Sequence, residues 1–312
     1  MSREVGESFE CFGGRCAVRA GDADAETARW AVEQGRQTLL DAHRALSRFD
    51  PASELSRLNH DPRAEVPASP LLRRVVAAAL TAGLRSGGLV DATLLDEIEA
   101  AGYAESRDFD RTHEAPDAPP PHPAAACPQA GWCQFAVDER AGTVTRPPGL
   151  RLDPGGIAKG LLADLVGESL ADLATFAVDC CGDLRVGGAE ARPRTILVDD
   201  PAGGAPLHEL RIADGAVATS GITRRAWTAD DGRAAHQLID PATGAPAFTG
   251  ILQATAMAPT GLLAETLAKS ALFAGPEGAE EHLPFGGVFV EEGGAVRVVE
   301  ALPAVLPEVQ AA

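Results

Sequence analysis

Asp153-Pro154-Gly155-Gly156-Ile157-Ala158-Lys159-Gly160 marks the passage from a strand-like segment into a helix predicted to run to about Leu173. The two central glycines let the backbone approach a ligand closely, and the first N–H groups of a helix favour an anion. The spacing is neither that of a P-loop nor that of a GxGxxG dinucleotide motif. A plain glycine-rich helix start with Asp153 as its cap is therefore the alternative interpretation.

Only two lysines occur among the 312 residues, and each lies in a motif-like segment. One is Lys159, and the other is Lys269 within Ala264-Glu265-Thr266-Leu267-Ala268-Lys269. The net charge of −18 argues against nucleic acid as a partner, because phosphate backbones need a basic field. An anionic ligand must then be held locally, by backbone N–H groups, a few basic side chains or a metal ion. The placement of the lysines indicates such a ligand.

The periodicity of the chain favours an α+β fold over a regular βαβ array, since helices come early and strands cluster later. Helices are predicted at about 24–46, 70–84, 156–173 and 261–273. Strands are predicted near 10–20, 133–137, 143–146, 175–178, 183–186, 194–199, 207–212, 215–219, 225–228, 234–239, 252–258, 286–291 and 295–299. Residues 104–130 are rich in Pro, Ala, Asp and His, which predicts an irregular surface loop.

Targeting signals are not apparent in the sequence. Apolar runs are short, and Met1-Ser2-Arg3-Glu4 is not followed by the apolar stretch of a signal peptide. Cys11 lacks the upstream hydrophobic run of a lipidated cysteine, and the six cysteines have no regular metal spacing. The expectation is a cytoplasmic protein with reduced thiols and no membrane insertion.

Two further segments carry side chains suited to chemistry. In His236-Gln237-Leu238-Ile239-Asp240-Pro241-Ala242-Thr243-Gly244, a strand presents His236, a candidate general base, and ends in a turn at Asp240. An Asx-type turn with an incidental edge-strand histidine is the alternative. Glu265 and Lys269 are four residues apart on a predicted helix. That spacing suits a local ion pair, and the Glu265 carboxylate also suits Mg²⁺.

In their joint order, these segments resemble the ApbE-type FAD:protein FMN transferases, which move FMN from FAD onto a Thr or Ser hydroxyl of a partner protein. The matching blocks, in family order, are SRFDPASELSRLN (47–59), VDAT (90–93), LDPGGIAKG (152–160), DCCGDLRVGG (179–188), AVATSG (216–221), HQLIDPATGAP (236–246) and APTGLLAETLAKSALFAG (258–275). The resemblance implies one ApbE-like, T-fold-related domain over residues 10–300, with mixed or antiparallel sheets and packed helices. Tails would precede it at 1–9 and follow it at 301–312.

The resemblance also implies a site. FAD would be the substrate, with its pyrophosphate near the helix start at Gly156. The residues expected at the flavin nucleotide are Phe12, Phe49, Asp91, Ala92, Thr93, Asp153, Lys159, Gly182, Asp183 and Ser220. His236 and Asp240 match the family signature and are the expected catalytic residues, with His236 or a carboxylate near it as the base. The metal positions would be Gly156, Glu265 and Lys269, the last by position only.

Two departures from the family pattern bear on function. Where the family has Asp and, four residues later, Thr, this chain has Glu265 and Lys269, so a hydroxyl ligand is lost and a cation is gained. Cys181 replaces the first glycine of a Gly-Gly-Asp turn. Mg²⁺ is therefore expected to be weakly bound or absent.

Three functions remain open at this point. One is an FMN transferase in which Lys269 replaces metal charge, and another is an FAD-binding relative that no longer transfers. The third is an FAD pyrophosphatase that gives FMN and AMP. The expected partners are FAD and a flavin-acceptor protein with a Thr or Ser site, and no nucleic acid.

Overall fold

The computed structural model describes residues 4–22, 24–106, 118–229 and 231–302. Its strands, in chain order, are β1 (Val5–Cys11), β2 (Gly14–Gly21), β3 (Glu65–Pro67), β4 (Ala136–Asp138), β5 (Thr143–Thr145), β6 (Thr175–Cys180), β7 (Asp183–Gly187), β8 (Arg194–Val198), β9 (His208–Ile212), β10 (Gly215–Gly221), β11 (Ala226–Thr228), β12 (Ala234–His236), β13 (Ile251–Ala258), β14 (Gly287–Glu291) and β15 (Val296–Val299). The helices are α1 (Ala25–Leu46), α2 (Glu54–His60), α3 (Pro70–Arg85), α4 (Leu95–Ala100), α5 (Ala158–Ser169) and α6 (Gly261–Gly278). The predicted α+β class is confirmed.

One large antiparallel sheet organises the molecule. It has eight strands in the order β1-β2-β6-β7-β10-β13-β14-β15, and each neighbouring pair runs antiparallel. A three-stranded sheet, β3-β5-β4, and two hairpins, β8-β9 and β11-β12, complete the strands. The order places β6, β7 and β10 at the middle of the large sheet, where the strands from both halves of the chain meet.

Strand alternation gives this sheet two different covered faces. Phe176 and Val178 of β6 pack in a core with α1 and α5, whereas Ala177 between them packs with the β8-β9 hairpin. In β13, Ala256 belongs to a core with α6, and its neighbour Met257 packs toward the hairpin. Helices α1, α5 and α6 therefore share one face of the sheet, and the hairpin covers part of the other.

Helices α5 and α6 cross in backbone contact at two glycines. A Cβ atom on Gly160 would lie 2.3 Å from the carbonyl oxygen of Gly261, and a Cβ on Gly261 would lie 2.4 Å from that of Gly160. The Asp164 carboxylate of α5 accepts hydrogen bonds from the first two N–H groups of α6, at 2.6 and 2.9 Å. Because the crossing is this close, Lys159 at the start of α5 lies beside Glu265 of α6.

Several elements differ from the sequence-based predictions. The strand predicted at 10–20 is two strands joined by a turn in which Phe12 has φ 54°. Strand β1 begins inside the stretch 1–9 that was predicted to be a tail. The strand predicted at 133–137 begins as a 3-10 turn, Gly131–Gln134, before β4. Strand β3 and helix α4 were not predicted.

The predicted loop at 104–130 lies partly outside the described residues, at 107–117, as do 303–312 of the predicted tail. The described loop residues, 104–106 and 118–130, belong to no helix or strand. Within the described chain, every helix is too short or too polar to cross a bilayer.

Candidate active site

Four charged side chains meet where α5, α6 and β7 come together. Lys159 Nζ donates to Asp183 Oδ2 and lies 3.1 Å from Glu265 Oε1. Lys269 Nζ donates to the same Glu265 oxygen at 3.1 Å and to Ser220 Oγ at 3.4 Å. Both lysines of the chain therefore contact one carboxylate.

Each of the four oxygens of the two carboxylates in this cluster has a hydrogen-bond donor. Glu265 Oε2 accepts the backbone N–H of Gly160 at 2.9 Å, and Asp183 Oδ1 accepts that of Thr219 at 3.3 Å. The side chains of Asp183 and Glu265 are 2% and 1% exposed. Buried charges are costly unless they are paired and hydrogen-bonded, and here two cations balance two anions.

Burial and mutual attraction set the protonation of the cluster. Burial raises the pKa of Asp183 to about 6, against the opposing effect of Lys159. Burial also disfavours the Glu265 anion, but the two lysines outweigh it and lower the pKa to about 2. Burial disfavours the Lys159 cation as well, but the two carboxylates prevail and raise its pKa. Burial lowers the pKa of Lys269, and Glu265 offsets this only in part.

A cleft opens beside Lys269. Five of the residues predicted for the site line it: Asp91, Ala92, Asp153, Gly156 and Lys269. They come from the VDAT block, the LDPGGIAKG block and α6, so distant segments converge on one place. Most of the remaining lining side chains are apolar.

Asp153 connects this cleft to an aromatic platform. Its backbone N–H donates to the carbonyl of Ala92 at 2.8 Å, and its Oδ2 lies 3.5 Å from Arg48 Nε. The Arg48 guanidinium stacks 4.2 Å from the centroid of the Phe49 ring and 4.5 Å from that of Tyr103. Arg48 thereby fixes Asp153 in relation to the partly exposed Phe49, which is 37% exposed.

A side-chain clamp that sequence reasoning missed supports the same carboxylate. Asn59, the last residue of the SRFDPASELSRLN block, pairs with the backbone of Leu152, because its Nδ2 donates to the carbonyl and its Oδ1 accepts the N–H, both at 2.8 Å. The residue that follows Leu152 is Asp153. The only sequence signal for this role is the position of Asn59 at the end of a motif.

The ApbE family model matches residues 12–286 of the chain. The chain belongs to the ApbE family. It is similar to the FAD:protein FMN transferase of Salmonella typhimurium, at 28% identity over 271 residues, or 81% of this chain and 74% of that protein. The enzyme of the same name from Treponema pallidum is 29% identical over 300 residues, or 88% and 80%. The fold matches that of the ApbE protein from Thermotoga maritima with TM-score 0.77 and 22% identity, over 98% of this chain and 100% of that one.

His236 of the ApbE signature is not among the residues that line the cleft. Its ring packs edge-on against Phe248, with centroids 4.7 Å apart, and its Nδ1 accepts the N–H of Leu238 at 3.2 Å. The remaining ring nitrogen, Nε2, therefore carries the hydrogen; it makes no hydrogen bond of normal geometry with the described residues, and the backbone of Ala247 offsets the effect of burial on the pKa only in part. Burial lowers the pKa of His236 to about 3, so the ring is neutral at physiological pH.

The next residue, Gln237, does line the cleft, together with Leu238 and Ile239. Gln237 Nε2 donates to the carbonyl of Gly221 at 3.1 Å, which orients the amide. Its Oε1 is buried and has no partner within the described part of the chain. Gln237 is a candidate site residue that sequence reasoning passed over in favour of His236.

The Asp240 carboxylate organises the turn that follows. Oδ1 accepts the N–H groups of Ala125 and Ala242 at 3.1 and 3.0 Å, and Oδ2 accepts the hydroxyl of Thr243 at 3.0 Å. The Asp91 carboxylate has a similar role, because its Oδ1 accepts the N–H and the hydroxyl of Thr93, at 2.9 and 2.6 Å. These bonds explain the motif residues as turn formers.

Three other predicted residues lie outside the cleft lining. Phe12 occupies the β1-β2 turn, where its ring meets His43 edge-on at 5.1 Å and its carbonyl accepts from Arg225 at 3.3 Å. Phe49 lies on the aromatic platform. Gly182 lies in the β6-β7 turn, next to Cys181 and Asp183, with φ 97°. The other four predicted residues outside the lining are at the charge cluster: Ser220 accepts a hydrogen bond from Lys269, and the cluster itself contains Lys159, Asp183 and Glu265.

The residues at the predicted metal position do not suit Mg²⁺. That ion takes oxygen ligands at near-octahedral geometry. Both oxygens of Glu265 already accept hydrogen bonds, and two ammonium groups lie within 3.1 Å of one of them. Across the described ranges, no group of three or more His, Cys, Asp or Glu is arranged to hold a metal ion.

Proposed function

We propose that this ApbE family member is an FAD:protein FMN transferase, which moves FMN from FAD onto a Thr or Ser hydroxyl of an acceptor protein and releases AMP. The observation that carries the proposal is the position of Lys269, a basic residue that lines the cleft beside the helix start at Gly156 in a protein of net charge −18. A positive group at that point is suited to an anionic ligand. The names of the curated relatives support the transfer of FMN from FAD to a protein.

The reaction needs charge neutralisation and alignment more than covalent chemistry. The acceptor hydroxyl attacks the FMN-side phosphorus, the bond from that phosphorus to the bridging oxygen breaks, and AMP leaves with that oxygen. Negative charge spreads over the phosphoryl oxygens in the transition state, so a fixed cation lowers the barrier. Lys269 supplies this charge at the cleft.

The rest of the cluster positions Lys269. Glu265 accepts from Lys269 Nζ at 3.1 Å and is itself held by Lys159 and the N–H of Gly160. Lys159 is in turn anchored by Asp183. We assign Lys159 a positioning role, because it contacts both carboxylates and does not line the cleft. No step of this mechanism passes through a metal ion.

The size of the cleft limits what it takes up. Its volume is about 70 Å³, whereas pockets that enclose drug-sized ligands measure roughly 300–1,000 Å³. The cleft is therefore too small to enclose FAD, and the rings of FAD would lie on the open surface. The exposed Phe49, stacked on Arg48, offers a face for the flavin or adenine ring.

His236 stays the candidate base by its place in the motif. To accept a proton it must release the Leu238 N–H from Nδ1 and reach the hydroxyl from a buried position. A general base contributes about 10²- to 10⁴-fold to a rate. Measured transfer by His236→Gln that falls by less than about tenfold would remove His236 from this role.

Intact-mass analysis of a candidate acceptor domain incubated with FAD, with and without EDTA, tests the function. We expect a gain of one FMN that EDTA does not abolish. A gain that EDTA abolishes would contradict the role of Lys269 in place of metal. FAD binding without any gain would indicate a binder, and FMN and AMP released without an acceptor would indicate a pyrophosphatase.

A further inference from the structure

A pair of thiols lies next to the charge cluster. The sulfur atoms of Cys16 and Cys181 are 3.7 Å apart, which is contact distance, and Cys181 Sγ also approaches the carbonyl of Cys11 at 3.3 Å. All six cysteines of the chain are free thiols. Cys16 belongs to β2, and Cys181 belongs to the β6-β7 turn, two residues before Asp183. A bond between these two sulfurs would join the two neighbouring strands β2 and β6 at the end nearest the site.

The two thiols differ in access. Cys16 is fully buried, whereas Cys181 is partly exposed on a turn with φ 58°. The thiol of Cys16 and, to a smaller extent, the charges of Lys159 and Arg225 lower the pKa of Cys181. A partly exposed thiol near positive charge is the more reactive kind, and a second thiol in contact can resolve its oxidised form.

We propose that Cys16 and Cys181 are an oxidation site, at which a peroxide forms a reversible disulfide that switches off the neighbouring site. The Cys181 thiol gives up its proton and its sulfur attacks a peroxide oxygen; the O–O bond breaks, the leaving oxygen takes up the proton as an alcohol or water, and Cys181 is left as a sulfenic acid. Cys16 then gives up its proton and its sulfur attacks that of Cys181; the S–O bond breaks, and the hydroxide leaves with that proton as water. Two thiols thus lose two electrons to the peroxide, and an added dithiol reverses the step. The effect on FMN transfer rests on the proposed function, but the formation of the disulfide does not.

Formation of the disulfide would displace the turn that holds Asp183. A disulfide bond measures about 2.05 Å, so the two sulfurs must approach by roughly 1.6 Å. Cys181 and Asp183 share one short turn, and Asp183 anchors Lys159 and accepts the N–H of Thr219. Displacement of this turn moves the anchor of Lys159 and, through Glu265, the Lys269 ammonium.

Peptide mapping tests the chemical step directly. The background is Cys127→Ser with Cys133→Ser, which leaves only Cys11, Cys16, Cys180 and Cys181 as thiols. With about one equivalent of hydrogen peroxide, we expect the protein to lose two hydrogens and to yield a Cys16–Cys181 cross-linked peptide. Cys181→Ser in the same background should give no cross-link. A different pairing, such as Cys16 with the cross-strand Cys180, or no loss of thiols, would overturn the proposal.

Activity and FAD affinity test the consequence. We expect the oxidised protein to transfer FMN about 100-fold more slowly, because a displacement of about 1 Å at a reacting site costs that much. Dithiothreitol should restore the rate, and Cys181→Ser, which lacks the thiolate that attacks the peroxide, should be insensitive to peroxide. Equal rates for the mapped disulfide form and the reduced form would contradict the switch. If the reduced protein transfers nothing, the proposed function fails separately, and equal FAD affinities of the two forms would then contradict the switch.

Discussion

Lys269 is the side chain on which metal dependence rests. It is four residues from Glu265, contacts Ser220 and lines the cleft. We expect Lys269→Thr to need Mg²⁺ for transfer, because it removes a cation, leaves Glu265 Oε1 with one ammonium neighbour instead of two, and adds a hydroxyl. Its rate in EDTA should fall about 10²- to 10³-fold, the usual cost of losing one transition-state contact. The comparison is the transfer rate with and without Mg²⁺.

The matched control for that change is Lys269→Met, which keeps the length of the side chain and offers neither charge nor an oxygen ligand. It should be inactive with and without Mg²⁺. Transfer by Lys269→Thr at the wild-type rate in EDTA would mean that the ammonium is not used.

The buried imidazole of His236 gives stability a defined pH dependence. Its pKa is about 3 in the folded protein, against about 6.5 in the unfolded chain. The unfolded chain therefore binds the proton first as pH falls, so this contribution is complete above pH ~6.5 and is lost toward pH 3 at up to ~1.4 kcal/mol per pH unit. Urea unfolding at pH 6.5 and 5.5 measures this. Between the two, the free energy of unfolding of the wild type should fall by up to ~1.4 kcal/mol more than that of His236→Gln. The same loss in both proteins would contradict a buried neutral His236.

Composition alone was enough to identify some residues of the site. It was not enough where the packing of the folded chain determines which side chain faces the cleft or which partner it has. The scarcity of lysine identified Lys159 and Lys269, and both lie in the cluster. The motif identified the segment that contains His236, but the sequence does not say which of its side chains line the cleft. In the structure Gln237 lines the cleft and His236 does not. Asn59 could not have been assigned to its partner, because only the folded chain brings the two together.

At the scale of elements, the crossing of α5 and α6 positions the cluster. Gly160→Ala would place a Cβ 2.3 Å from a backbone oxygen that cannot move aside as a side chain would. We expect the free energy of unfolding to fall by about 1–3 kcal/mol, the usual range for overpacking, together with a loss of FAD affinity. Urea unfolding measures the first, and a titration measures the second.

Gly293→Ala serves as the control, because a Cβ there meets nothing within 4 Å. It should change the free energy of unfolding by less than about 0.5 kcal/mol. If the two substitutions changed the free energy of unfolding equally, the close crossing of α5 and α6 would not be the reason for glycine at position 160.

Helices were easier to predict than the sheet, for a physical reason. The start of α1 is local, since Asp24 accepts the N–H groups of Glu26 and Thr27, and α3 begins at Ser69-Pro70 for similar reasons. The pairing of β2 with β6 joins segments that are far apart in the chain, and no local pattern encodes it. The β1-β2 turn escaped prediction because it places Phe12 at positive φ, where glycine or asparagine is usual.

At the scale of the whole molecule, the protein is acidic, and both of its lysines lie in one buried charge cluster. The net charge of −18 predicts that an anion would need local positive groups, but it did not indicate that Asp183 and Glu265 would be buried with the two lysines. That arrangement makes the cations part of the fold. FAD is therefore expected to bind without a divalent ion.

Isothermal titration calorimetry with FAD in EDTA tests this expectation most directly, with Lys269→Met as the comparison. We predict saturable binding by the wild-type protein, unchanged when Mg²⁺ replaces EDTA, and a loss of affinity in Lys269→Met. Binding that appears only with Mg²⁺, or no saturation under either condition, would contradict the account.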